Sequence, residues 1–224
     1  MGIERVQLVF LQMVPFLMAI VFHEFGHAFV ARKHGDNTAH DLGRLTLNPI
    51  PHIDPIGTLL FPIINMLTGM NIMFGWAKPV PINYGKLRPY RRGLRLVALA
   101  GPMANVLLAL VCALFLVIFA TFVPPTFYLY EPLREMSRAA ISINFALAIF
   151  NLIPLPPLDG SKVVESFLSI EASRKFEDLQ RYSFFILLGL LWSGALNVLS
   201  IPIIMMSNLS ISIWVTLLGK IGIL

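Results

Sequence analysis

The chain has 224 residues, 57% of them hydrophobic and 13% charged, with a net charge of +5 and a mean hydropathy of +0.76. That balance excludes an ordinary soluble globular domain, and no polar block is long enough to form a separate one, so residues 1–224 read as a single integral-membrane domain. The basic residues sit in short loops between apolar segments, the signature of a cytoplasmic membrane face, so a lipid bilayer rather than nucleic acid is the expected partner.

In chain order, residues 6–34 predict one helix, retained because no small-x-small cleavage site follows Arg5 and its apolar run. Arg32, Lys33 and His34 lie in its last turn and Gly35 caps it. Within it, His23-Glu24-Phe25-Gly26-His27 places two imidazoles at i and i+4, stacked on one face where they can share a metal ion. Glu24 flanks them as a base that is not itself a ligand. At about 1.5 Å per residue, His27 lies about 7 Å and His23 about 13 Å inward from Arg32. A glutamate in a span costs roughly 2.5–3.5 kcal/mol unless partnered or used, so a chance cluster is the weaker reading.

A polar stretch follows, carrying His34, His40, His52, Asp36, Asp41 and Asp54. Its segment "GRLTLNP" (43–49) alternates, and "KPVPIN" (78–83) is forced extended by its prolines. Together they predict a small extended or β element at the cytoplasmic rim, able to pair with an unwound substrate backbone or simply to connect helices. Between them, Ile56 to Gly75 is apolar but contains Pro62, Asn65, Gly69 and Asn71. Further long apolar runs cover Leu96 to Tyr130, Ala139 to Leu158 and Tyr182 to Leu218, and about 20 such residues suffice for a span. Cys112, the single cysteine, lies in mid-span and reads as a packing residue. Lys162 to Arg181 mixes apolar and charged residues as an interfacial amphipathic helix does. The fold class is therefore an all-α polytopic membrane protein, with about five to six transmembrane helices, a re-entrant segment and the small extended element.

A catalytic zinc site takes three protein ligands and keeps one position open. Any of the histidines and aspartates of the polar stretch could complete the pair. So could Asp159, which closes "FNLIPLPPLDGSK" (150–162), where Pro154, Pro156 and Pro157 break a span. Non-helical backbone at membrane depth is tolerated where it is buried or lines a wet cavity, but Asp159 could equally be a helix cap.

"HEFGH" on a membrane helix, "AGPMAN" (100–105) on another and "NLIPLPPLDG" (151–160) on a third resemble the site-2 protease family of intramembrane zinc metalloproteases, in particular its short forms without accessory domains. The resemblance covers nearly the whole chain. It implies that His23, His27 and Asp159 bind one Zn2+ per chain, that Glu24 is the general base, and that Asn151 lies close to the scissile peptide. Asn151 is then the first candidate for an oxyanion or substrate contact, with Asn105 and His52 behind it. The expected substrate is a transmembrane protein.

If His27 and Asp159 share an ion, the ends of their helices face one side of the membrane. A single crossing by Ile56 to Gly75 would separate them, so that stretch is expected to dip in and return. Fourteen of the seventeen Lys/Arg then fall on the metal side, which the positive-inside rule makes cytoplasmic in a bacterial or archaeal cell membrane. The alternative from another class is a membrane metal-ion transporter using the same His/Asp cluster. It requires no base at Glu24 and no open coordination position.

Overall fold

The computed structural model describes residues 2–60, 64, 77–178 and 180–223. Helix α1 runs from Gly2 to Lys33. It ends because Gly35 takes φ 101°, a conformation that costs a residue without Cβ little. Asp36 N then donates to Ala31 O and Gly35 N to Arg32 O, closing the last carbonyls. A single helical turn, Thr38–Asp41, follows. Helix α2 spans Tyr90–Phe122 and α3 spans Tyr130–Asn151. A proline-rich turn leads to α4 (Asp159–Glu165), α5 (Ile170–Asp178), α6 (Gln180–Trp192) and α7 (Ser200–Lys220).

Helices α1 and α2 lie antiparallel. At one end Arg88 N donates to His34 O at 2.8 Å; farther along, Gly26 packs so closely that a Cβ there would stand 2.6 Å from Ala100 O; deeper still, Asn105 reaches Ala19 O. Small residues permit this approach, as they do at helix contacts within lipid. Helix α3 lies against both, and α7 covers α2 and α3. Their shared core is Ala109, Ala113, Leu116, Ile141 and Phe145, with Trp214 of α7 packed against it.

Among the described residues, three helices are long and apolar enough to cross a membrane: Leu11–Lys33, Tyr90–Phe122 and Ala195–Lys220. This is fewer than the five to six read from apolar runs. Helix α3 has the length at 22 residues, but Glu131, Arg134, Glu135 and Arg138 fill its first half. Helix α6 has only 13 residues, about 20 Å.

The antiparallel pairing means that residues 35–87 leave and return at one end of α1 and α2. The re-entrant expectation for Ile56 to Gly75 falls largely on residues 61–63 and 65–76, which lie outside the described residues; Pro55–Leu60 forms a short π-helix. No strand forms among the described residues, so of the expected extended or β element only non-helical segments appear there, at 43–49 and 77–83. The reason lies in the hydrogen bonds: Val80 N donates to Glu24 Oε2 and Asn83 N to Asp36 Oδ2, side-chain acceptors in place of a partner strand. The helix expected over Lys162 to Arg181 is also interrupted. Ser166 turns the chain, its hydroxyl donating to Val163 O and receiving Arg95 Nε, while the Arg95 guanidinium stacks 3.9 Å above the Phe167 ring.

Candidate metal centre

Three side chains from distant parts of the sequence converge. His23 Nε2 and His27 Nε2 are 3.0 Å apart, and Asp159 Oδ2 lies 3.1 Å from the first and 3.2 Å from the second. The histidines come from one face of α1. Asp159 is the first residue of α4, brought back by the turn after α3. Gly160 makes that return possible, since a Cβ there would stand 2.3 Å from Leu152 O and 2.5 Å from Ile153 O.

Hydrogen bonds at the far side of each ring decide what the three atoms offer. His27 Nδ1 lies 2.7 Å from Val97 O, which can only accept, so this nitrogen carries the proton. His23 Nδ1 lies 2.6 Å from Asn105 Oδ1 and donates to it. With neutral rings both Nε2 atoms are then bare lone pairs, and the buried Asp159 Oδ2 has these two nitrogens against it and no other hydrogen-bond donor. Three lone pairs this close repel one another unless a cation sits among them. Their spacing suits that, because two ligands about 2.0–2.1 Å from a tetrahedral zinc are about 3.3 Å apart. Two neutral imidazoles and a carboxylate are also a common donor set for catalytic zinc, and among the described residues His23, His27 and Asp159 form the group able to hold an ion.

The wall opposite the imidazoles is Gly101 of α2. A Cβ on it would lie 2.3 Å from His27 Nε2 and 2.7 Å from His23 Nε2, so a side chain there would occupy the metal's space. Glu24, next to His23 in sequence, has Oε2 held at 2.7 Å by Val80 N. The segment bearing Val80 is anchored twice more: Arg44 Nη2 donates to Lys78 O and Pro79 O, and the buried Asp36 carboxylate accepts from Asn83 N and from the N–H and hydroxyl of Thr38. Burial would raise the Asp36 carboxyl, but these donors and the Lys86 ammonium outweigh it and hold it below its ordinary range. Tyr84 lies in the same region. Burial, then the negative charges of Asp159, Glu165 and Glu24, push its phenol up to about 12, so it is neutral at physiological pH.

The other sequence candidates are placed differently. Asn105 is fully buried, and both its amide hydrogens are used, toward Ala19 O and Asn144 Oδ1, so it has none to offer an oxyanion. Asn151 ends α3 and donates to Leu147 O in its own helix. His52 is fully buried; its Nε2 donates to Thr46 O and its Nδ1 has no partner. Sequence reasoning passed over Asn144, Gly101 and the Val80 N–H. Asn144 carried a signal, an amide within the apolar run "AISINFALAIF"; the others required knowing which helix faces which.

Helices long and apolar enough to span a membrane thus carry a buried two-histidine, one-carboxylate group able to hold a metal ion, with a glutamate beside it, the donor set used by zinc metallopeptidases. Comparison with known proteins agrees. The family model described as Peptidase family M50 matches residues 132–193, a stretch that includes Asp159. The chain is 36% identical over 178 residues to "Putative zinc metalloprotease YwhC" of Bacillus subtilis, covering 79% of this chain and 78% of that protein. It is 31% identical over 185 residues to a protein of the same designation, Rip2 of Mycolicibacterium smegmatis, covering 81% of this chain and 66% of Rip2. No solved structure matches. The chain belongs to peptidase family M50, the site-2 proteases.

Proposed function

We propose that this protein is an intramembrane zinc endopeptidase that hydrolyses a peptide bond within or near a transmembrane segment of a membrane-protein substrate, with its active site nearer the cytoplasmic face. The observation that carries this reading is the convergence of Asp159 with His23 and His27, which lie toward the C-terminal end of a membrane-span helix, beside Glu24. Zinc, when bound, supplies a Lewis acid for the scissile carbonyl and lowers the pKa of a water molecule toward 7. His23, His27 and Asp159 hold the ion. Glu24 takes the proton of the attacking water and delivers it to the leaving amine nitrogen; the Val80 N–H fixes Oε2 and leaves Oε1 to do so. The break in the helix at the proline turn after α3 would give water a way to the site. Asn151, at the end of α3 and eight residues before Asp159, is proposed to lie close to the scissile peptide, as the family resemblance implies.

The transport reading is weaker, because a conducted ion needs no carboxylate oriented by a backbone donor beside its ligands. The test is cleavage of a single-span model protein by the purified protein in detergent. Cleavage that a chelator abolishes and zinc restores supports the proposal. Zinc binding with no cleavage of any single-span substrate, together with zinc flux in vesicles, would replace it by transport.

A further inference from the structure

Two buried amides outside the ligand set lie behind His23, and their hydrogen bonds have one possible polarity. Asn144 Nδ2 is 2.8 Å from Ala140 O, which can only accept; this fixes Asn144 with Oδ1 turned toward α2. Asn105 Nδ2 is 2.8 Å from Ala19 O and 2.8 Å from Asn144 Oδ1, again acceptors both, so its two amide hydrogens are committed. Turning the Asn105 amide over would set its oxygen against two other oxygens. Its Oδ1 must therefore face His23 Nδ1, at 2.6 Å. Both asparagines are buried to 1% exposure or less, where an unmade hydrogen bond costs the most.

We infer that Asn105 and Asn144 are positioning residues for the metal. As a polarised chain running from Ala140 O through both amides to His23 Nδ1, they hold His23 in the tautomer whose bare Nε2 points at the ion. The inference rests on the metal-site reading above and adds that one ligand is set by side chains of the two helices facing α1. Asn144 acts only through Asn105. His27 obtains the same tautomer from a backbone carbonyl, Val97 O, and so depends on no side chain. The two histidines should accordingly differ in sensitivity to substitution around them.

Outer-shell partners of a ligating histidine commonly change metal affinity by about 10–100-fold. The experiment measures zinc affinity by chelator competition on the full chain in detergent. Asn105→Leu should weaken zinc by about 10–100-fold. Asn105→Asp, which keeps an acceptor for His23 Nδ1 but sets an oxygen against Ala19 O and Asn144 Oδ1, should weaken zinc clearly less than Asn105→Leu does, because the carboxylate still fixes the tautomer and raises imidazole basicity. Asn144→Leu should weaken zinc severalfold alone and have no further effect in the Asn105→Leu background. The cobalt-substituted visible spectrum should change in Asn105→Leu and be preserved in Asn105→Asp, a separation that lost packing alone would not produce. Equal weakening by Leu and Asp at position 105, native affinity in Asn105→Leu, or additive effects at 105 and 144 would overturn the inference. Should Asn105→Leu fail to fold, the native metal-free protein decides. Long-range nitrogen–proton spectra of labelled histidine, with His23 assigned through His23→Gln, must show its Nδ1-protonated tautomer; the other tautomer refutes the scheme. Neither readout involves a substrate, so a failure of proteolysis would sink the proposed function while leaving this result standing, and the reverse also holds.

Discussion

Replacing Gly101 with alanine adds one methyl group, and the structure sets its consequence. The new Cβ would lie 2.3 Å from His27 Nε2 and 2.7 Å from both Nε2 and Cε1 of His23. An ordinary non-bonded contact is about 3.5 Å, so one imidazole must retreat by about 1 Å. Metal sites hold ligand distances to about 0.2 Å; the displacement is several times what zinc tolerates. Retreat is also blocked behind the rings, where His27 Nδ1 is tied to Val97 O and His23 Nδ1 to Asn105 Oδ1. Gly101→Ala should therefore lower zinc affinity by more than about 100-fold, beyond the range of an outer-shell change. Helicity should be retained, since alanine favours a helix interior by about 0.5–1 kcal/mol over glycine. Chelator competition and metal content per chain measure the first, and circular dichroism the second. Gly189→Ala is the control: on α6, with nothing within 4 Å of the added Cβ, it should leave zinc untouched. If Gly101→Ala bound stoichiometric zinc at native affinity, the placement of α2 over the histidines would be wrong, and the ligand triad with it.

The remaining predictions concern the base, the third ligand, the anchored segment and the topology. Glu24→Gln should retain zinc and lose about 10²–10⁴-fold in peptide hydrolysis; metal analysis beside a cleavage assay checks it, and activity near native would remove Glu24 from the mechanism. Asp159→Asn should weaken zinc by at least about tenfold, as a neutral amide replaces a carboxylate ligand; unchanged affinity in competition would return the third position to the polar stretch. Asp36→Asn should cost about 1–3 kcal/mol and make residues 77–88 more susceptible to limited proteolysis. Because the folded Asp36 carboxyl is held below its ordinary range, its contribution is present above about pH 4 and lost as pH falls through the lower folded value. The native segment should thus loosen with acid, and the Asn variant should show a flatter profile. Finally, single cysteines at Asn37, Lys86 and Lys175, in a background lacking Cys112, should label from one face of oriented vesicles. Lys86 Nζ is 3.2 Å from Thr38 Oγ1, so opposite labelling of positions 37 and 86 would contradict the antiparallel pairing of α1 and α2.

The ligands on α1 were legible because their chemistry is local. The i, i+4 spacing of His23 and His27 fixes both on one face whatever the rest of the chain does, and the Gly35 cap was equally local. Asp159 was not legible from spacing, since a turn of three prolines can send the chain anywhere; the family resemblance singled it out, and Gly160 shows why the turn reaches back. The extended segments at the rim were legible only in part, for a related reason. Alternation and prolines specify extended backbone but not its partner, and here the partners are the carboxylates of Glu24 and Asp36. Apolar runs suggested five to six spans, whereas three of the described helices are long and apolar enough, because helix bounds differ from the bounds of the runs: α3 begins nine residues before Ala139, with Glu131, Arg134, Glu135 and Arg138 in its first half, and stops at Asn151, short of Leu158.

What the sequence could not convey is that the two halves of the centre are held by different means. Both imidazoles are locked by groups on α1's neighbours, Val97 and Asn105 on α2, with Asn144 on α3 behind them, inside a packed three-helix contact where each donor has one acceptor. Asp159 arrives on a turn and is restrained from outside: Arg95 ties the end of α4 to α2 through Ser166 and Phe167, and Lys162, paired with Glu165, lies 5.6 Å above the Tyr84 ring. Helix packing of the first kind has few alternative arrangements, whereas a turn fastened by a few polar contacts can shift without unfolding. The geometry of the histidines is thus a property of the bundle, and the position of the carboxylate a property of its rim.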